Sequence, residues 1–166
     1  ARSYQLEELI AYFEIEGEKI LQHKLQRSWK VQEIRYEYPD TTYIMNSERM
    51  GRFIFADSTY ALIYYPEMKT RPNFKQLSSP TSPEMLKAFK TVVFNSGSYK
   101  WEGSRLITQA DLAKVPGFEG GKQFYEVNRY SQGLEIVMYD EQYPNGESPN
   151  WVGTLRITFQ LIPENK

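Results

Sequence analysis

Cysteine is absent from this chain of 166 residues, which excludes disulfides, thiolate nucleophiles and cysteine-based zinc or iron–sulfur centres together. Histidine occurs once, at His23, and one imidazole cannot assemble a Ser-His-Asp triad, a Cys-His dyad or a multi-histidine metal centre. No stretch approaches the roughly 18 apolar residues of a membrane-spanning helix. The N-terminal segment carries acids through its middle, unlike the apolar core of a secretory leader. Charge of one sign is lacking as well: 20 Lys and Arg face 21 Asp and Glu, with no block of like charge. A phosphate-backbone groove, which needs clustered cations, is therefore not expected.

Calcium-loop spacing is missing, and Asp140-Glu141 falls in a Gly/Pro-bearing stretch where solvated carboxylates are expected. Gly120-Gly121-Lys122 lacks the first glycine and the Ser or Thr of a phosphate loop and reads as a turn. No metal and no cofactor is expected. Neither nucleic acid nor membrane insertion is expected, and the chain is anticipated as a monomer or weak homodimer. A cytoplasmic location is favoured, with a secreted or periplasmic one left open if a leader was removed before Ala1.

What the chain has is tyrosine, 13 of them, set in short alternating segments. Residues 4 to 24 come first and read as an amphipathic helix, with Leu6, Leu9, Ile10, Phe13, Ile20 and Leu21 on one stripe and Gly17 interrupting it. This helix is expected to pack on the rest of a single domain as its residues 1–27. His23 is expected at the surface or at the helix end.

From Ser28 the period changes to two. Trp29 and Val31 share one parity and Ile34, Tyr36 and Tyr38 the other, so the first strand is predicted to contain a bulge or bend. Pro39-Asp40-Thr41 supplies a turn, and Met50–Ala56 with Thr59–Tyr65 forms a hairpin about Asp57-Ser58. Ser82 is expected to cap a helix from Pro83 to Phe94, between the third and fourth strands, with Leu86, Phe89 and Val93 buried. Ser98–Trp101, Ser104–Gln109, Lys122–Tyr130, Gly133–Tyr139 and Trp151–Leu161 complete the strands. A mainly β chain with this many short strands suits a closed antiparallel barrel, which has no exposed edges and encloses either packed side chains or one small ligand.

Several of these segments, in this order, resemble the bacterial lipocalin-like domain family, a calycin-type barrel. They are Gly51-Arg52-Phe53-Ile54-Phe55 with Tyr60, Arg71-Pro72, Gly97-Ser98-Tyr99-Lys100-Trp101-Glu102-Gly103, Pro116-Gly117-Phe118-Glu119-Gly120 and Arg129-Tyr130-Ser131-Gln132-Gly133-Leu134. Arg27-Ser28-Trp29 stands where lipocalins carry G-x-W, and by the same resemblance Arg156 is the candidate to cover Trp29. The resemblance implies an eight-stranded up-and-down barrel over 28–166 and the binding of small, mostly apolar molecules. It implies no reaction.

The candidate ligand-binding residues follow from strand parity and from the arginines near the barrel mouth: Tyr36, Tyr64, Tyr99, Tyr125 and Tyr139 as inward phenols, with Arg52 and Arg71 for an anionic group. A phenol combines apolar area with one hydroxyl that can orient a guest. The leading expectation is a barrel holding a small hydrophobic or aromatic molecule. The alternative is a cofactor-independent cyclase, isomerase or lyase working on an apolar substrate in the same cavity.

Overall fold

Strand β1, Ser28–Glu37, decides how the sheet closes. Along one edge it pairs antiparallel with β9, Arg156–Pro163, from Trp29↔Pro163 to Glu37↔Arg156, and the register shifts between Val31 and Glu33. That bulge adds one residue and reverses the parity. Trp29 and Val31 before it, and Ile34 and Tyr36 after it, therefore all turn toward the core: the first three are buried and Tyr36 half-buried. The predicted break in the first strand is how one strand keeps a continuous apolar face around the barrel's curve.

On its other edge β1 meets two strands in line. Its end pairs with β2, Thr42–Asn46, and its start with β3, Gly51–Ala56. Between them Gly51 has φ +144°, and a Cβ there would stand 2.2 Å from the Ile63 carbonyl oxygen, so only glycine fits. From β3 the sheet runs in sequence order through β4 (Thr59–Tyr64), β5 (Val93–Glu102), β6 (Arg105–Ala113), β7 (Lys122–Tyr130) and β8 (Gly133–Gln142) to β9. The β1–β9 pairing closes eight antiparallel strands into a barrel, with β2 as the extra strand. This computed structural model describes residues 7, 11–12, 16–17, 23–47, 50–67 and 71–164.

The expected architecture is present, with five corrections. Helix α1, Ser82–Lys90, follows the fourth strand rather than the third, because Thr42–Asn46 forms a strand of its own. Its cap is Thr81, not Ser82: the Glu84 carboxylate accepts from the Thr81 N–H and hydroxyl, both at 2.8 Å, and from the Lys75 N–H at 3.1 Å. The helix stops at Lys90, so Val93 and Phe94 belong to β5. Leu86 and Phe89 are not buried but 60% and 44% exposed. The last strand begins at Arg156, since Trp151–Thr154 is a turn in which the Trp151 carbonyl accepts from the Thr154 and Leu155 N–H groups at 3.0 Å.

Of the N-terminal helix, the described residues Glu7, Ala11, Tyr12, Glu16, Gly17 and His23–Leu25 are helical, and His23 is exposed as expected. The stripe Leu6, Leu9, Ile10, Phe13, Ile20 and Leu21 lies outside the described residues. Leu25, 1% exposed, enters the core at the barrel end that carries Trp29. The Trp29 indole N–H donates to the Leu25 carbonyl at 2.8 Å. Arg27, not Arg156, covers the Trp29 ring, its guanidinium carbon 5.6 Å from the centroid. Arg156 instead lies over Tyr139 and pairs with Glu126.

Aromatic rings fill the barrel from that end. Tyr99 meets Phe55 at 5.3 Å, Phe55 meets Phe53 at 6.4 Å, and Phe53 meets Phe159 at 4.9 Å, with Tyr64 against Phe159 at 5.0 Å. Most of these contacts are tilted or edge-on, as ring quadrupoles prefer. Phe159, 1% exposed at the centre of the column, is expected to lose about 3–5 kcal/mol of stability as Phe159→Ala. Urea unfolding measures it, and a loss under about 1 kcal/mol would contradict a filled column.

Candidate functional site

The filled column places the accessible space at the other end of the barrel, where β4 leaves toward α1 and where β5 and β7 begin. Here strand parity turns a polar set inward. Asn95, Thr108 and Gln123 are 3%, 2% and 6% exposed. Gln123 sits opposite Glu141 in the β7–β8 register, after a bulge between Phe124 and Tyr125 has reset the pairing.

Hydrogen bonds connect the set. The Tyr125 hydroxyl donates to Gln123 Oε1 at 2.8 Å, Asn95 Nδ2 donates to the same oxygen at 3.4 Å, and Gln123 Nε2 donates to Glu141 Oε2 at 2.7 Å. A carboxylate only accepts, so Glu141 fixes which way the Gln123 amide points, and Gln123 in turn fixes Asn95. Asn95 Oδ1 is left buried with no protein donor.

Beside these groups opens a cavity of about 210 Å³, lined by Val93, Phe94, Asn95, Ala113, Lys114, Val115, Phe118, Glu141 and Tyr143. Its walls are apolar and its polar atoms come from few residues, the usual make-up of a small-molecule site. Lys114 ties α1 to this rim: its Nζ donates to the Phe89 carbonyl at 2.6 Å and to the Val92 carbonyl, and lies 4.4 Å from the Phe89 ring. A cation against carbonyls at a helix C-terminus is favourably placed. Burial pulls its ammonium pKa down.

Burial is also the leading cause that raises the phenols. It takes Tyr60 to about 12 and raises Tyr36, with Glu67 adding, while Tyr64 and Tyr125 go well above the ordinary value with neighbouring phenols and Glu141 adding. These tyrosines remain neutral donors at any working pH. Burial likewise raises the Glu141 carboxyl, helped by the charge of Asp140 and opposed by the Gln123 hydrogen bond.

The expected residues divide into groups. Tyr36, Tyr64 and Tyr125 gather at the open end, where the Tyr36 hydroxyl donates to the Pro66 carbonyl at 2.9 Å and draws that loop over the rim. Tyr99 lies against Phe55 at the closed end, and Tyr139 lies under Arg156 beside the exposed Arg156–Glu126 pair. Arg52 and Arg71 line a second groove of about 330 Å³ with Lys30, Ile63 and Tyr64, so three expected residues meet there, and Arg52 Nε pairs with Glu164 at 2.7 Å.

Asn95, Gln123 and Glu141 were not among the expected residues. Glu141 is a correction: it lies in β8 and is partly buried, not in a solvated loop. Parity with Tyr99 and Tyr125 was the signal for Asn95 and Gln123. Among the described residues no cluster of His, Asp and Glu could hold a metal, and no helix is long and apolar enough to cross a membrane.

A lipocalin-like protein from Bacteroides uniformis has a similar structure, at 13% identity over 82% of this chain and 97% of that one, with a TM-score of 0.40. No family model and no curated protein matches the chain. The barrel architecture stands on the strand pairings themselves.

Because folding raises the Glu141 pKa, the native state holds that proton to higher pH than the unfolded chain. Stability is therefore lost as pH rises from the ordinary Glu value of about 4.3 through the raised one. Glu141→Gln cannot ionise and keeps a carbonyl for Gln123. It is expected to be more stable than the wild type at neutral pH, with the difference closing below that window. Urea midpoints across pH check this, and a pH-independent difference would contradict it.

Proposed function

We propose that this protein is a lipocalin-like barrel that holds one small hydrophobic or aromatic molecule at the open end of its barrel. The observation that carries the proposal is the cavity of about 210 Å³ bounded by Val93, Ala113, Val115 and Phe118, with buried polar groups converging on one side. Its volume is below the usual range of about 300–1,000 Å³ for ligand pockets, which favours a mono- or bicyclic guest.

A cofactor-independent cyclase, isomerase or lyase would use the same cavity. Glu141, a carboxyl of raised pKa facing it, is the specific observation in its favour. Turnover of a candidate substrate lost in Glu141→Gln with binding retained would mark that activity. Binding is the proposal made because both readings require it.

Neutral bicyclic aromatics such as indole and benzothiophene, titrated by ligand-observed NMR, are expected to saturate one site. For about nine heavy atoms at about 0.6 kcal/mol each, the Kd is on the order of 0.1 mM. Ala113→Trp, which fills the cavity, is expected to abolish the binding. Non-saturable binding, or affinity unchanged by Ala113→Trp in a folded variant, would overturn the assignment.

A further inference from the structure

Outward parity on neighbouring strands gathers cations at one place. Lys30 lies between the inward Trp29 and Val31, Arg52 precedes the inward Phe53, and Ile63 lies between the inward Leu62 and Tyr64, so all three face out of the barrel. The register sets Lys30 directly opposite Arg52, and Arg52 directly opposite Ile63. Like charges directly opposite on one sheet face destabilise the pair. Arg71, from the segment between β4 and α1, brings a third cation to the same groove of about 330 Å³.

The carboxylate beside them is Glu164, which accepts from Arg52 Nε at 2.7 Å and from the Ser28 hydroxyl. One carboxylate thus stands against three cations. Lys30 and Arg71 make no ion pair among the described residues, and the terminal N–H groups of Arg52 make no further bond there. Arg52 leaves 58% of its side chain exposed and Arg71 is exposed as well, so solvent reaches both.

The rest of the lining is apolar or aromatic, with Met50, Ile63, Tyr65 and Val92 around a Gly51 that contributes no side chain. The Tyr65 N–H donates to the Met50 carbonyl at 2.8 Å, which carries the β3–β4 pairing one step further along the groove. The volume lies within the usual range of about 300–1,000 Å³ for small-molecule sites.

We infer that this groove is a second binding site, one that takes small organic acids bearing a carboxylate on an apolar ring or chain. Lys30 and Arg71 supply the charge, and a guanidinium grips a carboxylate with two parallel N–H bonds. Met50, Ile63 and Val92 cover the apolar body. A neutral guest leaves the cations uncompensated, and a bare inorganic anion leaves the apolar surface uncovered. The groove and the open-end cavity share no lining residue, so the assignment goes beyond the site proposed above.

2-Naphthoate and its neutral near-isostere 2-naphthamide, titrated by ligand-observed NMR at low ionic strength, test this. The acid is expected to bind saturably and about tenfold more tightly than the amide. Lys30→Gln and Arg71→Gln are each expected to weaken the acid about fivefold, and together about twentyfold. Lys87→Gln, an exposed cation of α1 outside the lining, is expected to leave it unchanged. Ala113→Trp, which fills the open-end cavity, is also expected to leave it unchanged, and if that variant does not fold, saturating indole on the wild type replaces it. No saturable binding of the acid, equal affinity for acid and amide, or affinity kept in the Lys30→Gln and Arg71→Gln variants would overturn the inference. So would an equal loss in Lys87→Gln. Binding of the acid lost in Ala113→Trp or displaced by indole would overturn it too, and would leave the open-end site standing.

Discussion

The antiparallel pairing of β1 with β9 is the constraint on which the rest of the molecule depends. It turns a sheet with two open edges into a cylinder, and it does so only because β1 changes parity at the bulge between Val31 and Glu33. Without the extra residue, either Trp29 and Val31 or Ile34 and Tyr36 would face solvent. Each is an apolar or aromatic side chain whose burial contributes on the order of 1.5–3 kcal/mol, so the bulged register wins over the straight one. A second bulge, between Phe124 and Tyr125, brings Gln123 opposite Glu141. The same irregularity that closes the barrel at one seam positions chemistry at another.

Closure makes an interior, and the aromatic residues divide it. From Tyr99 through Phe55 and Phe53 to Phe159 the rings touch in edge-on or tilted contacts, leaving no continuous lumen between the two ends. Trp29, bonded to the Leu25 carbonyl and covered by Arg27, seals that half. Toward the other end the filling changes from rings to Asn95, Thr108 and Gln123. Polar groups in a barrel core cost stability unless they are paired, and hydrogen bonds join Asn95, Gln123, Tyr125 and Glu141.

Much of this was legible in the chain. Period-two alternation located eight of the nine strands, the parity switch after Val31 announced the bulge, and Asp57-Ser58 gave the tight hairpin, with Asp57 at φ +42°. Misreadings came where pattern and environment part. Thr42–Asn46 is exposed at all positions but Met45, so it carries little alternation to detect. Leu86 and Phe89 mark a helical stripe that stays 60% and 44% exposed, with the Lys114 ammonium against the Phe89 ring. Trp151 to Leu155 keeps strand parity, yet Gly153 at φ +84° turns it. The polar cluster was hidden for a different reason: Asn95, Gln123 and Glu141 lie on three strands, and only the register brings them together.

Placement of a guest in the open half of the barrel, and not in the aromatic column, is the central claim. Crystals soaked with 4-bromophenol and measured at the bromine edge test it directly. The account predicts an anomalous peak against Val93, Ala113 and Phe118. A peak among Phe53, Phe55 and Phe159 would contradict it.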